Sequence, residues 1–281
     1  MVALRAGHVE IVRDAVPRYA ATLADGLNGT AAAFWLTLDA VNFGSGWFPT
    51  LRKRPGLSGY NTIAAALRDR AEAAGPWTAH ELSELTASQV AATLSQDPSH
   101  ELMALYAQSL NDLGRHVAAD HDGSFAAVVA AADGSAVALA HRLGGWACFA
   151  DCSRYGPLEV PFLKRAQIAA ADLHRAGVAR FLDLDRLTMF ADNLVPHVLR
   201  LDGVLRFDPE LVARIEREEL LEHGSPLEVE IRACAVQAVE LIVAAAGDGA
   251  TAAAIDEVLW NRGQLASYKA QPRHRSRCTA Y

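Results

Sequence analysis

The chain has 281 residues, of which 51% are hydrophobic and 21% are charged, and its formal net charge is −7. This composition is typical of a globular protein with a sizeable core, and the acidic balance argues against a general duplex-binding surface. No Gly/Ser-rich, Pro-rich or highly charged stretch separates two halves, so we expect one domain over residues 1–281.

Membrane segments and metal sites are not indicated by the sequence. No apolar run approaches the length of a bilayer span and the first residues lack a signal-peptide pattern, which predicts a cytoplasmic protein without membrane contact. Cys148 and Cys152 have C-x3-C spacing, and no second pair follows at zinc-ligand spacing. Motifs for phosphate loops and dinucleotides are also missing, so we expect reduced thiols, no metal and no cofactor.

The first predicted element is an amphipathic helix over residues 10–27, which Pro17 interrupts early. A turn signal at Asn28-Gly29 ends it, and residues 34–49 then form the most aromatic stretch of the chain. Aromatic rings offer stacking surfaces for a planar ligand. This stretch is therefore a candidate binding segment.

Asp39 and Asn42 lie within this aromatic stretch. On a helix they would share a face, and a buried acid and amide need polar partners, which a ligand can supply. Together they offer donors and acceptors that suit the edge of a heterocyclic base. The alternative is a self-contained turn over residues 42–46, because loops use the same residue types.

The middle of the chain predicts a series of helices with clear start signals. Thr78 with Glu81 and Thr86 with Gln89 form two capping boxes, each of which begins a helix. The other predicted helices cover residues 59–74, 100–119, 124–132 and 135–143, whereas residues 144–161 are expected to be irregular. Strands are the alternative for the short Ala/Val runs, because periodicity alone does not distinguish the two.

A further helix is predicted over residues 160–176, with Lys164 and Arg165 in its early part. Basic residues are disfavoured near a helix N-terminus unless an anion or an acid lies there, so both are candidate phosphate ligands. The alternative is a pair of solvated side chains whose apolar stems lie along the surface.

The stretch from Leu187 to Arg200 holds one carboxylate, Asp192, within an apolar frame of helical spacing. Pro196 has no N–H to donate to the carbonyl of Asp192, so either the helix kinks or a new helix starts with Pro196 in its first turn. Both geometries place the carboxylate beside backbone groups that are not used in regular helical hydrogen bonds, which suits a functional site. The alternative is that Asp192 only caps a helix.

The C-terminal third predicts two capped helices. Asp208 and Ser225 are the expected N-caps, each is followed by proline, and Glu228 completes a capping box with Ser225. The helix after Ser225 should run to about residue 246, and Arg232 is the candidate partner for the acids within that helix, such as Glu230 and Glu240.

A last helix is predicted over residues 251–265, and a basic tail follows over residues 269–277. If this tail folds back against the domain, its guanidinium groups form an anion clamp. Otherwise it is a solvated tail.

Six segments of the chain occur in the same order as in the queuosine salvage family, which the chain resembles from about Phe34 onward. They are Asp39-x2-Asn42-Phe43, Gly59-Tyr60, Lys164-Arg165-Ala166-Gln167, Phe190-Ala191-Asp192-x2-Val195-Pro196, Glu228-Val229-Glu230-Ile231-Arg232 and His274-Arg275-x-Arg277-Cys278. Ordered segments of this number are far more specific than any one of them. One departure is Leu194-Val195-Pro196-His197, where family members commonly carry Arg-Val-Pro-Gln.

The resemblance implies a mostly α fold, a single globular helical domain similar to DNA glycosylases and without a metal. It also implies a queuosine 5′-phosphate N-glycosylase, which hydrolyses the base–ribose bond and frees queuine for reuse in tRNA. Phe190-Ala191-Asp192 looks like the family motif that holds the catalytic aspartate. We expect ionised Asp192 to stabilise the oxocarbenium-like charge on the sugar or to orient water there.

The remaining candidate site residues are expected to bind the nucleotide substrate. They are Asp39, Asn42, Phe43, Trp47, Glu230, Lys164, His274 and Arg275. The first four are assigned to the base, Glu230 to its amine or to a ribose hydroxyl, and the three basic side chains to the 5′-phosphate. Phe43 or Trp47 would stack on the base.

Two other functions are alternatives at this point. A glycosylase of intact nucleic acid would use the same chemistry on a flipped base, although the acidic net charge disfavours it. A non-catalytic protein that binds the nucleotide or the base is the second. A tight complex that leaves its ligand unchanged would favour it.

Overall fold

The computed structural model describes residues 29–247 and 249–281. The amphipathic helix predicted for residues 10–27 lies outside the described residues. The mostly α fold class is confirmed, because helices joined by short loops make up most of the described chain.

Helices follow one another without a strand from residue 29 to Gly144. They are α1 (29–40), α2 (Gly59–Ala74), α3 (Ala79–Glu84), α4 (Ala87–Leu94), α5 (Glu101–His121), α6 (Phe125–Ala130) and α7 (Ala136–Gly144), with a 3₁₀ turn at Phe48–Thr50. Thr78 and Thr86 form both predicted capping boxes, in which each threonine side chain accepts a hydrogen bond from the third helical N–H.

The second half of the described chain begins with two strands and continues with helices. The elements are β1 (Cys152–Tyr155), β2 (Leu158–Pro161), α8 (Lys164–Arg175), a 3₁₀ turn at Leu184–Arg186, α9 (Val195–Leu201), α10 (Pro209–Glu216), α11 (Pro226–Ala246), α12 (Ala252–Arg262) and α13 (Ala266–Lys269). Asp208 and Ser225 cap α10 and α11 as predicted. Glu228 accepts a hydrogen bond from the backbone N–H of Gly224 rather than from that of Ser225.

The prediction that residues 144–161 are irregular is wrong for their second part. β1 and β2 form an antiparallel hairpin in which Ser153 lies opposite Val160. Most hairpin side chains are exposed, so the sequence lacks the alternation of apolar and polar residues that marks a half-buried strand. The helix predicted from residue 160 consequently begins at Lys164.

The two largest apolar clusters divide the core between the two halves of the chain. The larger one joins α1 to α8 and buries Leu36, Met103 and Leu139 completely. The second joins α9, α11 and α12 around Val198 and Val239. None of the described helices is both long and apolar enough to cross a membrane.

Candidate active site

A cavity of about 780 Å³ lies where the two apolar clusters meet. Its walls come from the loop after α1, the start of α2, α8, the loop before α9, α12 and the C-terminal segment. The charged lining residues are Lys53, Lys164, Asp172, Arg175, Asp192, Glu216, Glu218, Asp256, Glu257, Lys269, Arg273 and Arg275. The aromatic ones are Phe43, Phe48, Tyr60, Phe190, Trp260 and Tyr281. Small-molecule sites typically enclose roughly 300–1,000 Å³, so the cavity can hold a nucleotide.

Asp192 lines this cavity and lies two residues before the N-cap of α9, Leu194. Its Oδ1 accepts hydrogen bonds from the backbone N–H groups of Leu194 (2.8 Å) and Val195 (3.0 Å). Pro196 lies in the first turn of α9, so a new helix starts here and the alternative of a kinked helix is excluded. No hydrogen bond from the described residues engages Oδ2. One oxygen therefore fixes the carboxylate, and the other is available to a ligand.

A buried arginine holds the chain directly before Asp192. Arg232 on α11 is fully buried, and its Nε donates to the carbonyl of Ala191 (2.9 Å). Its two terminal nitrogens donate to both carboxylate oxygens of Asp151, at 3.0 and 2.6 Å, and Glu228 lies 3.5 Å away. Arg232 was predicted to pair with acids of its own helix; it pairs with Glu228 of that helix and with Asp151, and not with Glu230 or Glu240. This network links α11, the loop before β1 and the peptide that carries Asp192.

Asp256 on α12 is a second carboxyl in the cavity, and we did not identify it from the sequence. Its Oδ1 accepts a hydrogen bond from the backbone N–H of Phe190 (3.0 Å). Burial, and next the negative charge of Asp192, raise the pKa of Asp256 well above its ordinary value. Asp256 therefore keeps its proton under conditions in which a solvated aspartate is ionised. The sequence could have indicated it by spacing. Asp256 lies four residues after Ala252 and three before Leu259, so the three share the buried face of α12.

Asn42 and Lys164 are brought together at the cavity wall. The Lys164 Nζ donates to the backbone carbonyl of Asn42 (2.9 Å) and to its Oδ1 (3.2 Å). The Asn42 Nδ2 in turn donates to Asp39 (3.4 Å), which is fully buried and does not line the cavity. Burial, and next the neighbouring Asp172, raise the pKa of Asp39 well above its ordinary value. Asp39 therefore supports Asn42 from beneath rather than facing a base directly.

Arg165 has a structural position rather than the predicted role of a phosphate ligand. It is fully buried, and it donates hydrogen bonds to the carbonyls of Ala40 and Cys148. Its guanidinium lies over the rings of Phe43 (4.9 Å) and Phe149 (5.7 Å). These contacts tie the end of α1, which carries the Asn42 loop, to α8.

The aromatic candidates divide between the cavity and the surrounding core. Phe43 lines the cavity, but Trp47 does not, and its Nε1 donates to Glu101 (2.8 Å). Tyr60 and Trp260 meet edge to face, with ring centroids 6.2 Å apart, and both line the cavity. The cavity therefore has aromatic surface for a base. Tyr60 and Trp260 supply part of it, whereas Trp47, which we predicted from the sequence, does not.

Two further candidate residues lie away from the cavity. Glu230 is exposed on α11 and accepts a hydrogen bond from the hydroxyl of Tyr155 (2.7 Å). His274 is buried, and burial lowers its pKa to about 3, so it is neutral at ordinary pH and cannot supply a positive charge to a phosphate. The Nε2 and Nδ1 of His274 have no hydrogen-bond partner among the described residues.

Replacement of Asp256 by asparagine tests the state of this carboxyl. The introduced amide oxygen can still accept the Phe190 N–H, but the side chain no longer has a proton to transfer. The pKa of Asp256 is higher in the folded than in the unfolded chain, so unfolding releases its proton. The free energy of unfolding of the wild type therefore falls as the pH rises above the ordinary aspartate pKa. We therefore expect Asp256→Asn to raise the unfolding temperature at pH 7, by an amount that shrinks towards about pH 4, the ordinary aspartate range. Calorimetric scans of both proteins across this pH range measure the difference, and a wild type that is more stable at pH 7 would contradict it.

No group of three or more His, Cys, Asp or Glu side chains within residues 29–247 and 249–281 is arranged to hold a metal ion. Cys148, Cys152, Cys234 and Cys278 are free thiols.

Comparison with known proteins gives a consistent result. The family model described as "Queuosine salvage protein" matches residues 24–281. A protein of Sphaerobacter thermophilus named queuosine 5′-phosphate N-glycosylase/hydrolase is 37% identical over 262 residues, which cover 89% of this chain and 81% of the relative. Proteins with the same name from Bos taurus and Schizosaccharomyces pombe are 31% identical over 245 residues and 28% identical over 224 residues. These alignments cover 80% and 75% of this chain, and 72% and 65% of the relatives.

Proposed function

Since the chain belongs to the queuosine salvage protein family, we propose that it hydrolyses queuosine 5′-monophosphate at the bond between the base and the ribose. Water supplies the hydroxyl group that C1′ gains and the proton that the base gains, so the products are ribose 5-phosphate and queuine. The observation that carries this proposal is Asp192, a carboxylate with one oxygen fixed by two N–H groups and the other available in a cavity of nucleotide size.

Asp192 stabilises the positive charge that develops on the sugar. Cleavage of the C1′–N bond leaves its electron pair on the base and an oxocarbenium-like charge on the ribose. A carboxylate already held in place can stabilise that charge without first reorganising solvent around it. The N–H groups of Leu194 and Val195, together with the contact between Arg232 and the carbonyl of Ala191, supply this fixed position.

Asp256 supplies the proton that the departing base needs. Queuine is a 7-deazaguanine, so it has no N7 to protonate, and the proton must go to another atom of the base. The raised pKa of Asp256 makes it the protonated carboxyl beside Asp192. In this scheme Asp256 gives its proton to the base, Asp192 accepts a proton from the attacking water, and transfer between the two carboxyls restores the starting state.

Asp256→Asn is expected to lower kcat/KM by about 10²-fold, because general acid catalysis typically contributes 10²- to 10⁴-fold. The wild-type rate should fall on the alkaline side as Asp256 loses its proton, and the residual rate of the variant should lack that limb. A pH profile of kcat/KM for both proteins measures this. An identical alkaline limb in the variant would show that another group titrates there.

The other lining residues support a small-molecule nucleotide as the substrate. Asn42, Tyr60 and Trp260 offer polar and stacking contacts to the base, and Lys164 has one N–H beyond its two bonds to Asn42 for the ribose. The net charge of −7 disfavours intact nucleic acid as the substrate. The four free thiols suit the reducing cytoplasm, which is the proposed site of action.

A substrate panel tests this function against its alternatives. Purified protein is incubated separately with queuosine 5′-monophosphate, with the nucleoside queuosine and with tRNA that contains queuosine, and the free base is measured by chromatography. We expect base release from the 5′-monophosphate to be the fastest. Release from tRNA at a comparable rate would favour a nucleic-acid glycosylase. Tight binding of the 5′-monophosphate without release would favour a binding protein.

A further inference from the structure

Arg273 is a cation that lines the cavity and has no protein partner among the described residues. Its Nε is buried and forms no hydrogen bond there, and no described carboxylate lies within ion-pair distance of its guanidinium. Burial lowers the pKa of Arg273, and the charge of Asp192 acts against that shift. The side chain is half-buried, so its guanidinium has lost part of its hydration and is stabilised by an anion beside it. The guanidinium of Arg273 can therefore bind an anion of a ligand.

The other cations of the cavity are either engaged or exposed. Lys164 donates two hydrogen bonds to Asn42, as described above. Arg175 pairs with Asp172 at 2.9 Å and with Glu257 at 3.4 Å, and Arg275 lies 3.5 Å from Glu218. Lys53 and Lys269 are exposed. Arg273 is therefore the cation best placed to bind a ligand anion within the described part of the cavity wall.

The backbone around Arg273 is held on both sides. The carbonyl of Pro272 accepts a hydrogen bond from Arg200 (3.1 Å), and the carbonyl of His274 accepts one from Asn193 (3.0 Å). One residue further on, the carbonyl of Arg275 accepts the backbone N–H of Leu221 (2.8 Å). Arg273 and Arg275 line the cavity while His274 between them is buried, which is the alternation of an extended segment. The segment therefore presents Arg273 and Arg275, and not the predicted phosphate ligand His274, to the cavity.

We propose that Arg273 binds the 5′-phosphate of the substrate and gives the enzyme its preference for the nucleotide over the nucleoside. This inference rests on the proposed function. A guanidinium can bind a phosphate through two parallel N–H···O bonds, which are among the stronger polar contacts in proteins. Arg273 lies within electrostatic reach of Asp192, as the phosphate must when C1′ of the same ribose lies at that carboxylate.

Phosphate binding at Arg273 has a second consequence for Asp192. The positive charge of Arg273 offsets part of the negative charge of Asp192. A bound phosphate neutralises the guanidinium, so the negative charge of Asp192 stabilises the developing sugar cation more strongly. The phosphate should therefore raise kcat as well as lower KM, because its binding energy is used in the transition state.

The test compares Arg273→Gln with the matched variant Arg275→Gln, which removes the same charge two residues away. The quantity measured is kcat/KM for queuosine 5′-monophosphate divided by kcat/KM for queuosine. We expect Arg273→Gln to lower this ratio by about 10- to 100-fold, the range for charge-assisted hydrogen bonds, and Arg275→Gln to lower it far less. Arg273→Lys should restore part of the ratio, because the charge returns without the bidentate geometry. A ratio that is unchanged in Arg273→Gln would overturn the proposal.

Binding of ribose 5-phosphate separates this proposal from the proposed reaction. Titration calorimetry of wild-type protein with ribose 5-phosphate should detect binding that Arg273→Gln weakens by about 10-fold or more. Equal affinity in both proteins would overturn the assignment of Arg273 even if the enzyme releases base. If the wild type released no base from either substrate, the proposed reaction would fail, whereas an Arg273-dependent affinity for the sugar phosphate would still support the phosphate site.

Discussion

Asp192→Asn is expected to slow base release by about three orders of magnitude while leaving the fold intact. The amide oxygen of asparagine can take the place of Oδ1 and still accept the N–H groups of Leu194 and Val195. The side chain then presents a neutral amide to the sugar instead of a negative charge. We expect kcat to fall by about 10³-fold, the upper range for the loss of one preorganised electrostatic group, and the unfolding temperature to change little.

Asp192→Ala is the control that separates the structural role of Asp192 from catalysis. Alanine removes both the charge and the hydrogen bonds to the N–H groups of Leu194 and Val195, so it should lose about the same activity and also about 1 kcal/mol of stability. Steady-state rates and thermal unfolding of the two variants give both quantities. If Asp192→Asn kept wild-type activity, Asp192 would only hold the backbone at the start of α9.

Arg232→Met should cause the largest loss of stability of any substitution considered for this chain. It leaves Asp151 and Glu228 buried without their shared cation and removes the hydrogen bond to the carbonyl of Ala191. Breaking one side of a buried ion pair typically costs about 3–5 kcal/mol. At roughly 2–4 °C per kcal/mol for a chain of this size class, the unfolding temperature should fall by on the order of 10 °C. Activity should fall too, because the peptide before Asp192 loses its anchor.

The double variant Arg232→Met/Asp151→Asn tests whether uncompensated charge is the cause. The amide introduced at position 151 has no charge but can still accept the backbone N–H of Lys164, which Asp151 accepts at 3.0 Å. We expect the double variant to be more stable than Arg232→Met alone. Thermal unfolding of the two single variants and the double variant gives the coupling free energy. Strictly additive losses would show that lost packing, rather than an unpaired charge, causes the effect.

The position of Asp192 could be predicted because its determinants are local. Pro196 cannot donate the N–H that a continuous helix needs, so regular helical hydrogen bonding had to be interrupted between Asp192 and Pro196. The N-caps were also predicted correctly, because a capping side chain bonds to its own helix.

The directions of single side chains depend on distant contacts and could not be predicted. Trp47 turns towards Glu101, which lies 54 residues later, and Glu230 turns towards Tyr155, 75 residues earlier. His274 is buried and Arg273 lines the cavity in a segment that Asn193 and Arg200, both distant in sequence, hold by hydrogen bonds. The sequence of the basic tail shows that the tail is positively charged, but it does not show which of the side chains face the cavity.

Asp256 was missed for a related reason. An acid among apolar residues on α12 is usually explained by a nearby basic partner. Its partner is the backbone N–H of Phe190, and its neighbour is another acid, so its importance depends on the meeting of α12 with the loop before α9.

A structure of Asp192→Asn with queuosine 5′-monophosphate bound tests the central claim most directly, because the variant should bind the substrate and hydrolyse it far more slowly than the wild type. We expect the nucleotide in the cavity between α8 and α12, with C1′ within about 3.5 Å of the side chain of residue 192, the range of a near-attack geometry. The 5′-phosphate should contact the guanidinium of Arg273. A nucleotide bound outside this cavity, or one whose ribose lies away from residue 192, would contradict the account.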